Sequence, residues 1–293
     1  MLNEPILDTA AVSVAGDSGP ELPAAATGGL ADGATQPAPD ITADRTLAPT
    51  AAGNGAPSSA DPIIAAAPEV AKRQSYAVDI VLCIDVTGSM KPILDAVKAN
   101  ALRFYDDVQA NLIDKGKNID ELRVRIIAFR DFAADPDSAL EESSFFLLPE
   151  ERTILSAFVD SLVPEGGGDA PESGLEAVAL AINSPWASRG DRRRQVIVVL
   201  TDQPARPLNF AILPPSLASS VPTDFSALTD LWEDPQGPVG SSSKRLILFA
   251  PDGPGWSDIS ASWENVVHHP SQAGGGLSDV DYGTIIDSIG NSV

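Results

Sequence analysis

Two short apolar runs that end abruptly in aspartate constrain this chain more than any other feature. Residues 77–84, AVDIVLCI, run into Asp85, and residues 195–200, QVIVVL, run into Thr201-Asp202. Nearly continuous apolar runs of this length read as strands buried on both faces, the kind found in parallel sheets covered by helices. After Thr87-Gly88-Ser89, the residues Leu94, Val97, Ala101, Phe104, Val108 and Leu112 recur at helical spacing until Lys115-Gly116-Lys117 stops them. Further strands are expected at 122–129, 245–249 and 265–268, with an antiparallel edge strand at 144–148. Helices are expected at 149–162, from Asp169 to Ile182, and at 225–232, 257–263 and 279–289. Such alternation suits right-handed crossovers. Residues 75–293 are therefore expected to form a doubly wound, mostly parallel α/β sheet with helices on both faces.

Residues 1–74 differ in kind. They are rich in Ala, Pro, Gly, Asp, Ser and Thr, almost lack aromatics, and show no sustained period of 2 or 3.6. Such a segment buries too little apolar surface to offset its ordering entropy, so a disordered, acidic tail is expected. Over all 293 residues, 41 acidic against 19 basic side chains leave a net charge of −22, which argues against binding nucleic acid or anionic membranes. The single cysteine, Cys83, excludes an intramolecular disulfide framework and a cysteine-rich zinc site. The N-terminus shows no signal-peptide pattern, and no run approaches the roughly 18 apolar residues of a membrane span. A soluble, cytoplasmic protein is expected, with leaderless export left open.

In doubly wound sheets, function gathers beyond the carboxyl ends of the strands. Three segments are expected there: Asp85-Val86-Thr87-Gly88-Ser89, Gly166-Gly167-Gly168-Asp169 and Thr201-Asp202. They offer carboxylates and hydroxyls without histidine or thiol, an all-oxygen set suited to a hard cation. Residues 85, 87 and 89 alternate as the chain leaves the strand, so their side chains can converge. Asp169 has two readings, a ligand carried inward by the glycines or the N-cap of the next helix, with Pro171 and Glu172 in its first turn.

These three segments, in this order, resemble the metal-ion-dependent adhesion site of von Willebrand factor A domains, and the resemblance covers about residues 76–293. It implies one divalent cation, Mg²⁺ or else Mn²⁺ or Ca²⁺, held directly by the hydroxyls of Thr87 and Ser89 and largely through water by Asp85 and Asp202. Thr87 stands where the family usually has Ser, which keeps the hydroxyl. Asp169 stands where many members place a metal-binding Thr, a variant associated with bacterial and intracellular members, and as a ligand it would help the site neutralise its own ion.

The function expected is a metal-dependent protein-interaction module without catalysis, whose cation is completed by an Asp or Glu of a protein partner. Two alternatives keep the fold: a regulatory subunit of an ATPase, kinase or phosphatase system, and a structural component of a secreted or particle-associated assembly. Other chemistry finds little support. Ser89 lacks a nucleophile elbow and a nearby histidine, and the glycine loop lacks the Gly-Lys-Ser/Thr of a phosphate cradle. His268-His269 reads as a capping or surface pair, Arg192-Arg193-Arg194 as a solvated face remote from the cation, and Cys83 as core. Asp131, after the second long strand, reads as a loop residue that could also lie near the cation loops.

Overall fold

The computed structural model describes residues 75–293 except Asp169, Phe210 and Ala211. The expected tail at 1–74 lies outside the described residues, and so does the expected ligand Asp169. Among the described residues, seven strands form one sheet: β1 (Tyr76–Asp85), β2 (Glu121–Phe129), β3 (Leu140–Glu142), β4 (Phe146–Leu148), β5 (Arg192–Leu200), β6 (Lys244–Pro251) and β7 (Val266–Ser271). The spatial order is β3-β2-β1-β5-β6-β7, with β4 also paired to β2. The pairs β2–β1, β1–β5, β5–β6 and β6–β7 are parallel, while β3 and β4 run antiparallel to β2.

The sheet is covered by α-helices, among the described residues α1 (Lys91–Asn100), α2 (Phe104–Asp114), α3 (Arg152–Ser161), α4 (Gly174–Ile182), α5 (Phe225–Glu233), α6 (Trp256–Ser262) and α7 (Tyr282–Ser292). The two-residue period of a strand divides the core. From β1, Val78, Ile80, Leu82 and Ile84 join a cluster with residues of α1, α2, α3 and α7, whereas Val81 and Cys83 face a second cluster built on α4, α5 and α6. All ten residues of β1 are buried, which is why the run carries almost no polar alternation. No helix among the described residues is long and apolar enough to cross a membrane.

Several boundaries differ from the sequence expectation. The long helix after β1 is two helices joined by a 3₁₀ turn, Ala101–Arg103, where the chain passes α3. The expected edge strand is two short strands, β3 and β4. The largest departure concerns α4. It begins at Gly174 with Ser173 at its N-cap, so neither Pro171 nor Glu172 belongs to its first turn. Glu172 instead forms a one-residue parallel β-bridge with Ala205, with Glu172 N donating to Pro204 O (3.1 Å) and Arg206 N to Glu172 O (2.7 Å). This pairing between loops outweighs a helical pattern that would have run four residues further back.

The chain leaves β1 for β2 on one side and crosses to β5 on the other. Strand order therefore reverses at β1–β5, and the loops beyond these two strands diverge to open a crevice.

Candidate cation site at the switch point

The β1 loop is shaped by its own side chains. Asp85 Oδ1 accepts from Thr87 N (2.9 Å) and from Thr87 Oγ1 (2.7 Å), an Asx turn that swings the Thr87 hydroxyl back to the strand end. A 3₁₀ turn, Gly88–Met90, then carries Ser89 over the same point. The second oxygen of Asp85 accepts from Thr201 Oγ1 (2.7 Å), tying β1 to the end of β5. Ser89 Oγ donates to Asp202 Oδ1 (2.9 Å) across 113 residues of sequence. Four of the five expected ligands, Asp85, Thr87, Ser89 and Asp202, are thus brought together. Asp85 and Asp202 are fully buried and Thr87 nearly so, while Ser89 is exposed and marks the mouth.

With the hydroxyl hydrogens of Thr87 and Ser89 turned to the carboxylates, their oxygens face each other at 3.4 Å by their lone pairs. That separation is close to the about 3 Å between neighbouring oxygens around an octahedral Mg²⁺. Neither Asp85 nor Asp202 has an ion-pair partner among the described residues. Burial pushes the Asp85 carboxyl up to about 6, and the Asp202 charge adds to the rise, against the hydrogen bonds from Thr87 and Thr201. A bound cation would reverse this penalty, so the donor set fits a hard divalent ion. Among the described residues no three His, Cys, Asp or Glu side chains are grouped to hold a metal by themselves, so the set depends on its two hydroxyls.

Three elements that the sequence reading did not assign complete the crevice. The segment after β7 folds over Asp202, with Gly274 N donating to Asp202 O (2.8 Å) and Gly276 N to Asp202 Oδ2 (2.7 Å). A side chain at Gly276 would strike the Ser89 carbonyl, and the triple glycine at 274–276 was the available signal. Arg130, 2% exposed, donates to the carbonyls of Glu165 (3.0 Å), Val163 (2.8 Å) and Ser138 (2.6 Å), fastening the approach to the glycine loop onto the end of β2. Asp135 Oδ2 accepts from Gly167 N (2.7 Å) on the loop itself. Gly167, at φ +92°, packs so closely that a Cβ there would lie 2.5 Å from Thr87 Cγ2.

A second acidic layer lies behind. Asp131 is buried, pairs with Arg206 Nη2 (2.6 Å) and accepts from Ala133 N (3.0 Å), so it is a fixed internal acid and not a free loop residue. Glu172 is 2% exposed, and burial followed by the charges of Asp85, Asp131 and Asp135 pushes its carboxyl up to about 8. Glu176, fully buried in the first turn of α4, is pushed up to about 7, chiefly by burial. The remaining sequence candidates lie away from the crevice. Arg192, Arg193 and Arg194 open β5 at its opposite end, where Arg192 stacks on the Tyr76 ring and Arg194 donates to backbone carbonyls. His268 contacts Ala250 O through Nε2 (2.9 Å), and His269 stacks on Phe249. Cys83 is core, its thiol pushed up to about 12 by burial.

No protein-family model matches the chain. The chain is 23% identical over 162 residues to alpha-protein kinase vwkA of Dictyostelium discoideum, a match covering 55% of this chain and 24% of that protein. The chain thus spans about a quarter of the length of that curated relative. Among solved structures it is similar to the pilus adhesin SpaC of Lactobacillus rhamnosus GG in its open conformation (18% identity, TM-score 0.33, 47% of this chain and 16% of that one). It is also similar to the vWF domain of the type V pili tip protein Mfa5 of Porphyromonas gingivalis (22% identity, TM-score 0.30, 45% and 39%).

Proposed function

We propose that residues 75–293 form a divalent-cation-dependent protein-interaction module of the von Willebrand factor A type, without catalysis of its own. The observation that carries this reading is the convergence of Asp85, Thr87, Ser89 and Asp202 at the switch point, with both carboxylates buried and, among the described residues, no cationic side chain paired to them. These four residues would hold the ion, Mg²⁺ by its preference for oxygen ligands, and Asp169 is the sequence's further candidate from the glycine loop. When bound, the cation supplies a positive, Lewis-acidic position at the Ser89 mouth that a carboxylate of a protein partner can complete. The chain's own part is to hold the oxygens in place. Asp85 orients the Thr87 hydroxyl, Thr201 fixes Asp85, and the backbone of Gly276 fixes Asp202. The loop at 131–142, which holds the glycine loop through Asp135, and residues 204–206, which pair with Glu172, would supply specificity.

The test is capture from the native source on immobilised full-length chain, in Mg²⁺ and in EDTA, beside Asp85→Asn. The reading expects a protein retained only by the wild type with Mg²⁺, released by chelation and competed by a Glu-bearing peptide of that protein. Retention that is indifferent to EDTA and to Asp85→Asn would overturn it.

A further inference from the structure

Two buried acids near the cation loop, Glu172 and Glu176, carry oxygens without a hydrogen-bond partner, and Glu172 is the one whose carboxyl reaches the glycine loop. Glu172 Oε2 is sealed from solvent and accepts no hydrogen bond. Oε1 lies 3.1 Å from the point where a Cβ at Gly167 would sit, and Thr87 Cγ2 lies 2.5 Å from that same point. The Glu172 carboxyl and the Thr87 side chain therefore converge over the Gly167 backbone. The Glu172 backbone is held on both sides by the 204–206 segment, so its direction is fixed by the main chain and not by bonds of its own. The neighbouring cation does not account for it either. Arg206 spends Nη2 on Asp131 and the Pro171 carbonyl and makes no ion pair with Glu172. A buried carboxylate left without hydrogen bonds is costly unless something compensates it.

We propose that Glu172 is an outer acidic group of the cation site, accepting a hydrogen bond from a water on the ion and not bonding the ion itself. The inference rests on the cation reading above. The water-mediated placement is drawn from what shares the space over Gly167: Glu172 Oε1 and the Thr87 methyl lie there, while the Thr87 hydroxyl turns to Asp85. Mg²⁺ and Mn²⁺ sites commonly retain waters, and carboxylates that orient ligands from outside the coordination sphere tune affinity.

The experiment titrates Mn²⁺ into the full chain, its Glu172→Gln variant and its Glu176→Gln variant, reading affinity and the number of waters on bound Mn²⁺ by electron paramagnetic resonance in ¹⁷O-water. Glu172→Gln should weaken binding about tenfold with the water number unchanged, while Glu176→Gln, which removes another buried acid one turn along, should change it less than about twofold. Glu172→Ala gives the same reading should the glutamine variant fold poorly, and melting in EDTA reports whether each variant is folded. Equal affinity of wild type and Glu172→Gln overturns the inference while leaving the cation reading intact. An added water on Mn²⁺ in the variant, or equal losses in both glutamine variants, overturns it too. Absence of Mn²⁺ binding by the wild type overturns the cation reading itself.

Discussion

Replacing Asp85 by Asn should change the ion-free and ion-loaded protein in opposite directions. The folded-state carboxyl lies at about 6 against an ordinary 3.8, so ionising it inside the ion-free protein costs roughly 3 kcal/mol. Because the folded value is the higher, the ion-free protein loses this stability as pH rises from about 4 to about 6, and the loss is complete at pH 7.5. Asn removes the charge but weakens the bonds from Thr87 and Thr201, each worth about 1 kcal/mol. In EDTA the variant should thus match the wild type or exceed it by about 1 kcal/mol. At a hundredfold excess of Mg²⁺ over its Kd the wild type gains about 2.7 kcal/mol, roughly 5–10 °C in Tm for a domain of this size, and Asp85→Asn gains almost nothing. Differential scanning calorimetry at pH 7.5 reads both arms. A variant that keeps the whole Mg²⁺ shift would refute the reasoning, and so would one that is much less stable in EDTA.

Three further outcomes follow from the surrounding layers. Gly167→Ala places a Cβ at positive φ against Thr87 and should cost about 2 kcal/mol in urea unfolding while weakening Mg²⁺ binding; a neutral change would refute the close packing of the glycine loop. Arg130→Met removes the buried guanidinium from which three loop carbonyls accept and should cost about 3 kcal/mol, measured the same way. Burial raises the folded Glu176 carboxyl to about 7, so stability in EDTA should fall as pH rises from about 4.5 to about 7, by roughly 3 kcal/mol from this group. Glu176→Gln should remove that part of the slope between pH 4.5 and pH 8.

The parts of the site readable in sequence are those set by strand burial and local spacing. The β1 and β5 runs announce themselves because both faces are covered, and the Asp-x-Thr-x-Ser spacing places three side chains within a single turn of their strand. What depended on distant backbone pairing stayed hidden. Glu172 sits next to a helix-like pattern, yet its bridge to Ala205 draws it out of the helix and into the crevice. Arg130 follows an apolar strand end as any loop residue would, and only the folded path of 163–165 supplies the carbonyls that bury it. Glu176 carried a clear signal, a carboxylate inside the otherwise apolar helix GLEAVALAI, but its neighbours Asp131 and Arg206 come from other loops.

The proposed site holds one divalent cation through the β1 and β5 loops. Titration calorimetry of Mg²⁺ into the full-length chain, compared with Asp85→Asn and Asp202→Asn, tests it most directly. One ion per wild-type chain is expected, with at least about a hundredfold weaker binding in either variant, since each loses a carboxylate at the heart of the site. Mg²⁺ binding of equal stoichiometry and affinity in all three proteins, or none in the wild type, would contradict it.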